Sequence, residues 1–148
     1  VIRSVTPGKA PFGLALTPDG KSLYSVNVQS SSVTVIDTGT ADVITTIPVG
    51  EWPYCAVVSP DGNKLYVTNQ DESTVSVIDV ASNQVVNTFD VEDTPEGIDI
   101  SADGKLIYVA NWGNGTVSVI DAETEQPLNT IETAQGSRAF GDFMTELD

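Results

Sequence analysis

The chain has 148 residues, 40% of them hydrophobic, enough for one folded domain rather than a disordered coil. Its 21 acids against 6 bases give a formal charge of -15, which repels phosphate backbones and anionic headgroups and excludes nucleic acid as an expected partner. Histidine is absent and Cys55 is the single cysteine, which removes Ser-His-Asp and Cys-His catalysis, His-ligated haem, most zinc and copper sites and any internal disulfide from the chain's own repertoire.

The first residues, Val1-Ile2-Arg3-Ser4-Val5, read as a strand rather than a signal peptide. No run approaches the roughly 18 apolar residues that span a bilayer, so no membrane insertion is expected. From Pro11 onward the chain repeats itself at a spacing of 42, as in Asp19-Gly20, Asp61-Gly62 and Asp103-Gly104. The same shift aligns Tyr24, Tyr66 and Tyr108; Asn27, Asn69 and Asn111; and Val35-Ile36-Asp37, Val77-Ile78-Asp79 and Val119-Ile120-Asp121. A fixed period of this length without helical spacing is the mark of a propeller or a related array.

Each unit reads as four short strands. In the second they are expected over 56–59, 64–68, 74–78 and 84–89, rich in Val, Ile, Thr and Tyr as strands prefer. Pro60-Asp61-Gly62 supplies a fixed φ, a side chain that bonds its own backbone and a glycine that tolerates positive φ, together a tight hairpin. The asparagine column is read as turn-building, and Asp37, Asp79 and Asp121 as capping the turns that follow them. Ala56-Val57-Val58 and Val75-Ser76-Val77-Ile78 are nearly unbroken apolar runs, which predicts strands covered on both faces. Cys55 stands in the column of Gly13 and Gly97, where a small side chain is needed for close backbone approach.

The fold class expected is all-β, a propeller of four-stranded antiparallel blades. The repeats are placed at about 11–52, 53–94 and 95–136. Residues 1–10 are read as the outer strand of a preceding blade, and 137–148 as the start of a closing one, with Ser137 in the proline column.

The string Leu65-Tyr66-Val67-Thr68-Asn69, repeated as Tyr108-Val109-Ala110-Asn111 and more loosely as Tyr24-Ser25-Val26-Asn27, resembles the signature of the YVTN-repeat β-propellers. That resemblance implies half of a seven-bladed ring and a periplasmic or extracellular location, as in bacterial periplasmic and archaeal surface-layer relatives. Its wider group includes lactonase-like enzymes and haem-bearing reductases. With neither histidine nor a Cys-x-x-Cys-His attachment site, no cofactor and no metal are assigned to these residues.

Three blades cannot close a ring, and open blades leave apolar faces that soluble monomers seldom tolerate. The partner expected is a second chain or a missing half that completes the circle. A protein or small-molecule ligand is expected at the face where the loop before each first strand meets the loop between the second and third. The residues that break the repeat there are Trp52, Tyr54, Glu96 and Arg138 in the first set of loops, and Gln70, Asp71, Glu72, Trp112 and Asn114 in the second. Aromatics and arginine carry much of the energy at such surfaces. Asp99 is a further candidate, because its column otherwise holds Ala15 and Val57.

The regular repeat and the missing histidine favour a non-catalytic binding scaffold, with no catalytic residue assigned. The alternative is a lactonase-like hydrolase or quinone-dependent oxidoreductase whose catalytic groups lie mostly elsewhere, Glu96 and Asp99 then serving as metal ligands or as acid and base.

Overall fold

The structure, a computed structural model, describes residues 3–136, 138 and 139. Twelve strands form three four-stranded antiparallel sheets. The first sheet holds β1 (Pro11–Leu16), β2 (Ser22–Asn27), β3 (Ser32–Asp37) and β4 (Val43–Pro48); the second holds β5 (Pro53–Val58), β6 (Lys64–Asn69), β7 (Thr74–Asp79) and β8 (Gln84–Asp90); the third holds β9 (Pro95–Ile100), β10 (Leu106–Asn111), β11 (Thr116–Asp121) and β12 (Pro127–Glu132). In each sheet the strands neighbour one another in chain order, which makes it one blade. The first strands β1, β5 and β9 lie side by side from blade to blade.

The first strands begin earlier than the sequence predicts, at Pro53 rather than Ala56. Pairing of β5 with β6 slips between Pro53 and Ala56, and β1 and β9 carry the same irregularity. Proline has no N–H to give the ladder and is tolerated at a strand's first residue, while the bulge lets the strand continue past it.

The middle strands are buried on both faces. Leu65 and Val67 of β6 join Tyr24, Val26, Val33 and Val35 in a core between the first and second blades. Tyr66, between them, points the other way and joins Val75, Val77, Ile98 and Ile107 in a core between the second and third. Alternation along a strand therefore sends neighbours into different cores, and both must be apolar. Each large apolar side chain buried this way contributes about 1.5–3 kcal/mol.

Turn chemistry repeats with the blades. Asp61 Oδ1 accepts from the Ser59 hydroxyl at 2.5 Å and from the Asn63 N–H at 3.0 Å, and the Ser59 hydroxyl accepts from the Lys64 N–H at 3.0 Å. Asp19 and Asp103 do the same with Thr17 and Ser101. Gly20, Gly62 and Gly104 hold φ of +72°, +76° and +72°, a region where a Cβ is strained. Asp37, Asp79 and Asp121 each accept the N–H of the residue three further on.

The asparagine column does more than shape a turn. Asn69 is fully buried, and its amide donates to the hydroxyls of Thr74 at 3.0 Å and Ser76 at 2.9 Å on β7. Asn27 and Asn111 make the equivalent pairs. The signal was available in the hydroxyls five and seven residues downstream of each asparagine.

The strand expected over residues 1–5 has no counterpart among the described residues 3–10, none of which is in a strand. An outer strand exists by pairing with a third strand, and these three sheets already have their own. Val1, Ile2, Ser137 and 140–148, hence nearly all of the expected closing segment, lie outside the described residues. One side of the first blade is uncovered: Leu14 and Leu16 are 64% and 54% exposed, beside a hollow lined by Val5, Pro7, Phe12, Leu23 and Ile36.

Replacing Asn69 with alanine leaves the buried Ser76 hydroxyl and the half-buried Thr74 hydroxyl without their donor, and a loss of about 1–3 kcal/mol in urea unfolding is the expected result. The Asp-Gly turns predict a pH signature. Hydrogen bonds from Thr17 and Lys21 hold Asp19 down at about 2, and Asp61 and Asp103 are lowered chiefly by the Ser59 and Ser101 hydroxyls. A lowered folded value stabilises above the unfolded value, about 3.9, and that stabilisation is lost as pH falls through the folded one. The gap in urea midpoint between the wild type and the triple variant Asp19→Asn, Asp61→Asn, Asp103→Asn should be full at pH 5 and close between about pH 4 and about pH 2.

Candidate functional site

The two sets of loops meet at one end of the first strands. The N–H of Val28 bonds the carbonyl of Ala10, that of Gln70 the carbonyl of Trp52, and that of Trp112 the carbonyl of Thr94, at 3.1, 3.0 and 2.9 Å. Ala10, Trp52 and Thr94 all take positive φ, between 51° and 53°. This conformation is uncommon for residues with a Cβ, and its threefold repetition makes it part of the blade design.

Stepping by 42 residues from Phe12 gives Tyr54, Glu96 and Arg138, the first three on β1, β5 and β9 and Arg138 beyond β12, and contacts link neighbouring members of this column. The Phe12 and Tyr54 rings lie 4.3 Å apart between centroids, tilted by 34°. Arg138 Nε is 3.3 Å from Glu96 Oε2, with Glu96 only 3% exposed on its side chain and Arg138 47%. The loop residues reinforce the column: Gln70 donates to Glu96 Oε1 at 2.9 Å, and the Arg138 guanidinium sits 5.1 Å from the centroid of the Trp112 ring. Burial raises the Tyr54 phenol above its usual range; the Glu96 charge adds to the rise and Arg138 opposes it.

The strands approach closely here because of the next column. A Cβ on Gly13 would lie 2.6 Å from the Tyr54 carbonyl oxygen, and one on Gly97 would overlap the carbonyl oxygen of Ala139. Cys55 occupies the same column, and its N–H bonds the Thr68 hydroxyl at 3.0 Å, which in turn donates to the Glu96 carbonyl at 2.9 Å. Thr68 thereby ties the second blade to the third. Sequence reading missed it, since the YVTN-like string accounts for threonine as an ordinary strand former.

Of the six candidates, Tyr54, Glu96, Trp112 and Arg138 come together. Trp52 contributes its backbone carbonyl to the loops while its side chain is 46% exposed. Asp99 is buried on β9, opposite Tyr108, and its carboxylate accepts the Ile100 N–H at 2.8 Å. Asp71 and Glu72 are exposed, and Asn114 donates to Glu92 at 3.0 Å. Among the described residues no three of His, Cys, Asp and Glu are grouped to hold a metal ion. None of the described helices is long and apolar enough to cross a membrane.

The model of the cytochrome D1 heme domain matches residues 18–139. The chain belongs to the cytochrome D1 heme domain family. The solved structure of Kuenenia stuttgartiensis hydrazine synthase is similar at 34% identity and a TM-score of 0.82, over 91% of this chain. The chain spans 40% of that protein's chain. No curated protein matches the chain in sequence.

Membership in a haem-domain family calls for a test of the donors present, and the described residues offer iron neither a histidine nor a ready thiolate. Histidine is absent, and the one methionine, Met144, lies outside the described residues. Burial, with a smaller push from Glu96, raises the Cys55 thiol to about 11, which disfavours the thiolate that a ligand must supply. Tyr24 and Tyr66 are sealed in the cores between blades, with Tyr66 raised to about 12, chiefly by burial.

At pH 8 the Cys55 thiol in the folded chain should react with iodoacetamide roughly two orders of magnitude more slowly than in urea, where its value returns to about 8.5. Equal rates in mass-spectrometric time courses would show that the thiol is not held as described.

Proposed function

We propose that the chain is a wall segment of a haem-family redox propeller, supplying three blades and a channel-mouth cluster while the groups that ligate iron come from elsewhere in the ring. The observation that supports this reading most directly is the donor set. A chain matched to a haem domain over residues 18–139 contains no histidine and holds its cysteine in a setting that raises the thiol to about 11. For these residues the reading coincides with a non-catalytic scaffold. The mouth cluster of Tyr54, Glu96, Trp112 and Arg138 is its binding face, with Trp52 and Asp99 outside the cluster.

The ring is proposed as eight-bladed, the number of the family, with the Tyr66-Val67-Thr68-Asn69 string marking a YVTN-type repeat within it. What completes the ring is further blades of the same repeat, from a second chain or from more of the same polypeptide. The uncovered side of the first blade supports this. Leu14, Leu16, Leu23 and Ile36 stand 42 residues before Ala56, Val58, Leu65 and Ile78, which on the second blade pack against the core shared with the first. A periplasmic or extracellular location is proposed on the same family ground.

Titrating the 148-residue chain with hemin should give no six-coordinate, low-spin absorption spectrum, because histidine is absent and burial disfavours the Cys55 thiolate. Such a spectrum at one equivalent of hemin, lost in Cys55→Ser or Tyr108→Phe, would place an iron ligand in this chain and overturn the assignment.

A further inference from the structure

We infer that Glu96, Gln70 and Trp112 form a recognition box for a guanidinium group, and that Arg138 is its built-in occupant. The box stands whether or not the ring carries haem.

The parts are those that planar cations require. The Glu96 carboxylate is almost fully removed from solvent, where an ion pair is screened far less than at a surface. The Gln70 amide fixes Oε1 at 2.9 Å, which orients the carboxylate and leaves Oε2 to face the cation. The Trp112 ring supplies the π-face on which a guanidinium is held.

Arg138 fills the box imperfectly. It offers only its Nε edge, at 3.3 Å from Oε2, and that buried oxygen receives no well-directed hydrogen bond. A charge-assisted N–H···O bond at its best is shorter, about 2.7–2.9 Å. The backbone places Arg138 where only one edge reaches, since Ala139 lies with its carbonyl against Gly97. A guanidinium free of that tether can aim an N–H squarely at Oε2 and keep the stacking on Trp112. Arg138 therefore sets the threshold for an incoming guanidinium, because the open box is only part of the population. Its side chain is already 47% exposed, so it can leave towards solvent without unpacking a core.

Methylguanidinium is the probe, read by fluorescence of Trp112 in a Trp52→Phe background, where it is the one remaining tryptophan. Saturable quenching should strengthen about tenfold or more when Arg138 is replaced by alanine, and should vanish when Glu96→Gln is added. Circular dichroism of each variant reports the fold. In the intact chain, the side-chain NMR signal of Arg138 should move towards that of a solvated arginine as methylguanidinium is added, with Arg3 unchanged as the internal control. Equal affinity with and without Arg138, quenching insensitive to Glu96→Gln, or an Arg138 signal that does not move would each overturn the inference. A negative hemin titration bears on none of these readouts, so the two readings fail separately.

Discussion

The structure depends on one constraint: a middle strand of each blade has two apolar faces, and only a neighbouring blade can cover either. Leu65, Tyr66 and Val67 are consecutive, yet they serve two different cores. Nothing within one four-stranded sheet can bury both sides, so stability is carried by the contacts between repeats. The polar interactions that join the blades follow the same logic. Lys64 reaches Glu125 at 2.7 Å, and Asn87 bonds the other oxygen of the same carboxylate. The turn proline Pro18 lies against the site of Gly62, and Pro60 against that of Gly104.

The cluster at the end of the first strands is a by-product of this stacking. Because first strands lie side by side with the repeat in register, one column of the sequence becomes a row of adjacent side chains. Column members that need no particular identity for folding are free to carry chemistry, and here they run from an aromatic pair to an acid and a base. The loop residue of the preceding blade suits each charged member in turn, Gln70 for Glu96 and Trp112 for Arg138. The surrounding acidity sharpens the contrast, since Arg138 is one of only six basic residues in the chain.

Much of this was legible in the sequence. The period, the four strands per blade, the Asp-Gly turns and the doubly covered strands followed from spacing and from the unbroken apolar runs. The start of each first strand was not, because proline reads as a break and the bulge that rescues it leaves no composition signal. Residue type alone points the asparagines to turns, whereas their partners are the hydroxyls five and seven residues on, a spacing the sequence shows and register explains. Four of the six candidate residues converge. The sequence marks Trp52 for its ring, yet the fold uses its carbonyl and its left-handed backbone. Asp99 stands out as a charge in an apolar column, and burial on β9 away from the Glu96 cluster is its setting.

Sedimentation of the isolated chain across micromolar concentrations tests the central claim most directly. If each blade needs neighbours on both sides, the chain with Leu14 and Leu16 uncovered should associate as concentration rises, and charged residues in place of those two leucines should weaken that association. A compact monomer that is stable throughout the range and indifferent to those substitutions would contradict the account.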